Sequence, residues 1–131
     1  MKSTKLMVAL VVLVTIFMIG CKGKSAKELI VKKWKISDIS GNGAKDLTDS
    51  IKKILYTTAT MEFTKEGKYI TTDPQSGTNT GSYTLSADGK TLISNNEGST
   101  VKDSLDIVEL SATKFIVSNK KEDVKIVFEA K

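Results

Sequence analysis

The chain of 131 residues contains no histidine, and every one of its 20 basic residues is lysine, so arginine is absent too. Cysteine, proline and tryptophan occur once each. Without histidine there is no Ser-His-Asp relay, no Cys-His pair and no imidazole ligand for zinc. A single cysteine cannot close a disulfide within the chain. Nucleic-acid readers rely on arginine forks and on basic runs beside stacking aromatics. Here the lysines are scattered among 15 acids, which reads as solvated surface and implies no nucleic-acid partner. Calcium requires clustered oxygen ligands; Asp103 with Asp106 lacks the glycine and terminal glutamate of a loop site, so no metal is expected. Glu62, Glu66 and Glu109 most simply face water, and nothing marks the apolar pocket that a carboxyl general acid needs. No catalytic residue and no cofactor is expected.

What is present begins with an address. Lys2 and Lys5 precede an apolar run from Leu6 to Ile19, broken only by Thr15 and followed by Gly20. This order of basic, apolar and small residues is that of a secretory signal over residues 1–20. At about 1.5 Å per residue the run covers roughly 21 Å as a helix, short of the ~30 Å core of a bilayer. Met18-Ile19-Gly20-Cys21 resembles the lipobox of bacterial lipoproteins, in which cleavage before the cysteine is accompanied by its acylation. The resemblance implies that Cys21 is a lipid-modified membrane anchor. Residues 21–26 then form a tether and residues 27–131 one domain. Cleavage removes two of the 20 lysines and no acid, leaving 18 lysines against 15 acids and a formal charge of +3. Lys22 follows the cysteine, with neither the aspartate of inner-membrane retention nor an acidic export run, so the expected location is the outer membrane facing the periplasm.

Behind the tether, short runs of alternating apolar and β-branched residues are bounded by glycine, asparagine and aspartate, the mark of strands. Leu29 to Ile39 reads as a short entry followed by a strand with Trp34, Ile36 and Asp38 on one face. Further strands are expected at Thr60–Thr64, Lys68–Thr72, Gly81–Leu85, Thr91–Asn95, Val101–Leu110, Lys114–Asn119 and Asp123–Glu129. Leu47, Ile51, Ile54 and Leu55 fall on one helical face, which predicts a helix over 46–55. Asp73 to Thr80 holds the sole proline and reads as a mobile loop. Short turns between neighbouring strands favour antiparallel pairing, hence an all-β meander with one short helix, curled into a barrel or a strongly curved sheet.

Trp34, Phe63, Tyr69, Tyr83, Phe115 and Phe128 each fall on the apolar face of a different expected strand. A closed barrel of about eight strands is wide enough either to fill with such side chains or to keep one small ligand, and the sequence leaves both open. If a cavity is kept, Trp34, Tyr69, Tyr83 and Phe115 are expected to line it, with the tyrosine hydroxyls orienting an apolar ligand that has one polar end.

Several motifs together resemble the lipocalin-like domains of bacterial lipoproteins: Lys33-Trp34-Lys35-Ile36, Phe63 to Tyr69, Gly81 to Leu85, Ser86 to Leu92 and Ile107 to Phe115. Lys32 stands where that signature usually carries glycine. The resemblance implies an antiparallel barrel, a non-catalytic binding module and no fixed ligand. Its partners are expected to be the membrane, through the lipid anchor, and a small apolar molecule; the alternative is an interaction module for an envelope protein or glycan.

Overall fold

The computed structural model describes residues 24–131; the expected signal segment and Cys21 lie outside them. Helix α1 (Ala26–Ile30) is capped by Ser25, whose hydroxyl accepts from Glu28 N at 3.3 Å. Eight strands follow: β1 (Lys33–Ser40), β2 (Thr60–Phe63), β3 (Lys68–Asp73), β4 (Gly77–Leu85), β5 (Thr91–Asn96), β6 (Lys102–Leu110), β7 (Lys114–Asn119) and β8 (Val124–Ala130). Each pairs antiparallel with the next in the chain, and β8 pairs with β1, so the meander closes into the expected barrel. Closure leaves no long exposed sheet edge.

Large side chains fill one end of this barrel. Trp34 and Phe115 have 0 % exposure, Phe63 1 % and Phe128 4 %, and Ile30 of α1 closes that end at 0 %. Phe115 lies between its neighbours, with ring centroids 5.5 Å from Trp34, 5.5 Å from Phe128 and 6.0 Å from Phe63. The indole N–H of Trp34 donates to the Ile30 carbonyl at 3.0 Å, so the one polar atom of that ring is satisfied while it pins the plug. Lys32, at the position where glycine is usual, holds its ammonium 5.2 Å from the centre of the Trp34 ring. The same Nζ donates to the Ala112 carbonyl at 2.7 Å, which ties α1's exit to the β6–β7 turn.

Three expectations are corrected. Asp38 does not share the face of Trp34 and Ile36, because the ladder with β8 shifts between Ile36 and Asp38 and turns Ile39 inward instead. Such a bulge advances the alternation by one residue. The second helix, α2, runs Asp49–Thr58 rather than 46–55: Thr48 is its N-cap, accepting from Ile51 N at 3.3 Å, while Leu47 N bonds the Ala44 carbonyl in the preceding turn. Finally, Asp73 to Thr80 forms a tight hairpin rather than a mobile loop. The Asp73 carboxylate accepts from Gln75 N at 2.7 Å and Ser76 N at 2.8 Å, so β4 starts at Gly77. These bonds hold the Asp73 carboxyl below its ordinary pKa, the Ser76 hydroxyl contributing most.

The placement of α2 follows from strand lengths. β2 has 4 residues and β1 has 8, so β2 pairs only with Lys33 to Lys35 and leaves the far half of β1 without a neighbour on that side. Helix α2 covers the gap. Its Tyr56 hydroxyl accepts from Ile39 N at 3.1 Å and donates to Asp38 Oδ1 at 3.3 Å, replacing the missing strand partner. None of its residues is fully buried.

Candidate functional site

The end opposite α1 is built from different side chains. Alternation along β3, β4, β5 and β6 carries inward from Tyr69 to Thr71, from Tyr83 through Gly81 to Asn79, from Leu92 to Ser94 and Asn96, and from Leu105 to Asp103. These are short polar groups where the first half of the barrel has rings. They are too small to fill the interior and too polar to be packed dry at no cost. Ile36, Met61, Leu105 and Ile126 pack against the buried core while staying partly exposed, and of these Met61 borders the opening. A cleft of about 700 Å³ opens here, bordered by Met61, Tyr69, Thr71, Asn79, Ser94 and Asn96 among others.

Tyr69 stands at the boundary between the two halves. It is paired directly across from Gly81, and a Cβ at that glycine would come within 2.5 Å of the phenol carbon and oxygen. It would also lie 2.4 Å from the Asn95 carbonyl oxygen. Glycine therefore lets the ring lie flat against β4 and deliver its hydroxyl to Asn96 Oδ1, to which it donates. Burial raises the Tyr69 pKa, with the negative charge of Asp103 adding to the effect, so the hydroxyl stays a neutral donor.

The four aromatics expected to line a cavity are all interior, but they do not share one. Trp34 and Phe115 are sealed within the packed end. Tyr83 is 6 % exposed, stacks edge-on to Phe63 with centroids 4.9 Å apart, and donates to the Thr64 carbonyl at 2.8 Å. Burial raises its pKa, followed by the charge of Glu66. It borders a separate outer cleft beside α1, with Ser25, Lys65, Glu66 and Leu85. Of the four, Tyr69 alone borders the cleft of the open half. The other residues there, Met61, Thr71, Asn79, Ser94 and Asn96, were missed because attention went to large apolar side chains. Their signal was the period of two already used for the rings, continued past them.

Among the described residues no three His, Cys, Asp or Glu side chains gather as a metal site would require. The carboxyls that depart from their ordinary range, Asp73 and Asp88, are lowered by hydrogen bonds within their own turns. A carboxyl acting as general acid near neutral pH is raised instead. The arrangement is suited to holding a molecule in a half-open cup.

A closed eight-stranded antiparallel barrel, plugged at one end and open at the other, defines a small-barrel protein of the lipocalin class. The family model of the lipocalin-like domain matches residues 30–117, and the chain belongs to that family. Among solved structures it is similar to a lipocalin-like protein from Bacteroides uniformis, at 14 % identity and a TM-score of 0.58, covering 78 % of this chain and 98 % of that one. A DUF4847 family protein from Bacteroides vulgatus matches at 12 % identity and a TM-score of 0.58, over 80 % of this chain and 96 % of that one. An uncharacterized protein from Bacteroides eggerthii matches at 15 % identity and the same TM-score of 0.58, over 78 % and 99 %. At these identities the likeness shows the fold alone. No curated protein matches the sequence.

Proposed function

We propose that this chain is a non-catalytic, lipid-anchored envelope protein that holds a small apolar molecule with one polar end in the open half of its barrel. The observation that carries the reading is the asymmetric interior: a sealed aromatic half beside a cleft of about 700 Å³ walled by Met61, the Tyr69 ring and short polar side chains. That volume falls in the range of small-molecule sites. The anchor rests on the sequence around Cys21, and the outer membrane facing the periplasm remains the location it favours. The chain enters the domain through α1, which plugs the closed end. An acyl group on Cys21 would therefore tether that end and leave the mouth facing away from the bilayer.

The test is purification of the protein from its own membrane, with mass spectrometry of the N-terminus and of released small molecules. The reading expects an acylated residue 21 and an amphiphile that no longer co-purifies when Ser94→Trp fills the cup. An unmodified Cys21 thiol would remove the anchor. Absence of any small molecule from both forms would remove the carrier role.

Val101, 67 % exposed beside the mouth, and Val108, 57 % exposed where the β6 irregularity turns it outward, favour a second reading. In it the outer surface docks an envelope protein or glycan. A cup that stays empty in the purification would favour that docking role.

A further inference from the structure

The charged side chains of the barrel are unevenly divided between its two faces. Every strand lysine, namely Lys33, Lys35, Lys68, Lys102, Lys114 and Lys125, is exposed and occupies an outward register position. Two carboxylates fall on inward positions of the open half, Asp73 and Asp103. Asp73 is consumed by the hairpin it caps. Asp103 is the direct cross-strand neighbour of Ser94, which borders the cleft, and it is close enough to Tyr69 for its charge to act on the phenol. The described structure gives Asp103 no ion pair, whereas the outward Asp106 is paired with Lys120 at 3.3 Å. Glu97 adds a second carboxylate at the cleft's edge, accepting from the Thr80 hydroxyl, and the other rim groups, Thr71, Asn79, Ser94 and Asn96, can accept hydrogen bonds.

We infer that the open half of the barrel selects amphiphiles whose polar end is a cation, with Asp103 as the counter-charge, and disfavours fatty acids and other anionic amphiphiles. This rests on the cup being a ligand site at all. An alkyl chain of any kind gains from covering Met61 and the Tyr69 ring at the cleft wall. The head then meets a rim with the carboxylates of Asp103 and Glu97 and no inward strand lysine. A carboxylate head would have to sit beside Asp103 uncompensated, whereas an ammonium head would be drawn to it.

The experiment uses three ligands of matched length: octylamine, octanol and octanoate. Each is titrated by calorimetry into the full chain held in phosphatidylcholine nanodiscs, with empty nanodiscs as the reference. Octylamine should bind about tenfold tighter than octanoate, an effect of the size that one partly solvated charge pair gives. Asp103→Asn should shrink that ratio several-fold and leave octanol unchanged, and Asp103→Lys should reverse the order. Asp106→Asn, on the outer face, should keep the wild-type order. Octanoate binding as tightly as octylamine, or a ratio unmoved by Asp103→Asn, would overturn the inference while leaving the cup as a ligand site. Failure of all three ligands to bind would overturn the cup and the inference together.

Discussion

The two halves of this barrel are made by the same ladder and differ only in what the inward positions carry. Toward α1 those positions hold Trp34, Phe63, Tyr83, Leu92, Phe115 and Phe128, and each is at or below 6 % exposure. Toward the mouth β3 to β6 carry Thr71, Asn79, Ser94, Asn96 and Asp103, while β1, β7 and β8 keep the apolar Ile39, Val117 and Ile126, and the interior opens on the β3–β6 side. Close packing and open space are thereby separated along one axis. The aromatic half gains from burial and ring packing, while the mouth gives up that gain and keeps space.

The strongest way to break the comparison is to cut the packed half. Phe115→Ala or Trp34→Ala should cost about 3–5 kcal/mol in urea unfolding, the usual range for removing a large buried aromatic. Asn79→Ala at the mouth should lie within about 0.5 kcal/mol of wild type, as surface changes generally do. Equal costs at the two positions would mean the halves are not energetically distinct.

Next in size is the boundary. Gly81→Ala places a methyl 2.4 Å from the Asn95 carbonyl and 2.5 Å from the Tyr69 ring, so backbone or ring must move. The expected cost is about 1–3 kcal/mol, as for other overpacked sites, with a matching change in the Tyr69 ring signals by NMR. The cover of the β1 edge comes third. Tyr56→Phe removes the oxygen that accepts from Ile39 N and should cost about 1 kcal/mol, with faster amide exchange confined to Ile39 and its neighbours.

The smallest effect belongs to the hairpin. The Asp73 carboxyl is held below its ordinary pKa in the folded protein, so its contribution is present above the unfolded value near pH 4 and is lost as pH falls through the lower folded value. Asp73→Asn should remove that contribution, lowering stability slightly at neutral pH and flattening the acid limb of a stability–pH curve below about pH 4. An unchanged acid limb would show that the turn does not hold this charge.

The order of strands, the meander and the inward aromatics were legible because period-two alternation and turn residues act locally. Asp88-Gly89 marks its turn by residue type alone, and Gly89 sits at φ +70°. What escaped depended on partners distant in the chain. The bulge that displaces Asp38 is set by β8, some ninety residues on. The hairpin at Asp73 looked like a loop because proline, serine and glycine are shared by mobile segments and tight turns. The placement of α2 is a consequence of the shortness of β2, which no pattern inside the helix announces. The division of the aromatics between packed core and cleft was hidden for a related reason. Aromatic residues mark an interior, but whether they line space or remove it depends on how many converge at one level.

That point is tested most directly by a two-dimensional NMR titration of the protein with octylamine, following amide, methyl and indole signals at once. The account predicts saturable shifts at Met61, Thr71, Asn79, Ser94 and Asn96, with the Trp34 indole and the Phe115 ring unmoved. Shifts led by Trp34 and Phe115, or confined to the outer sheet face, would contradict it.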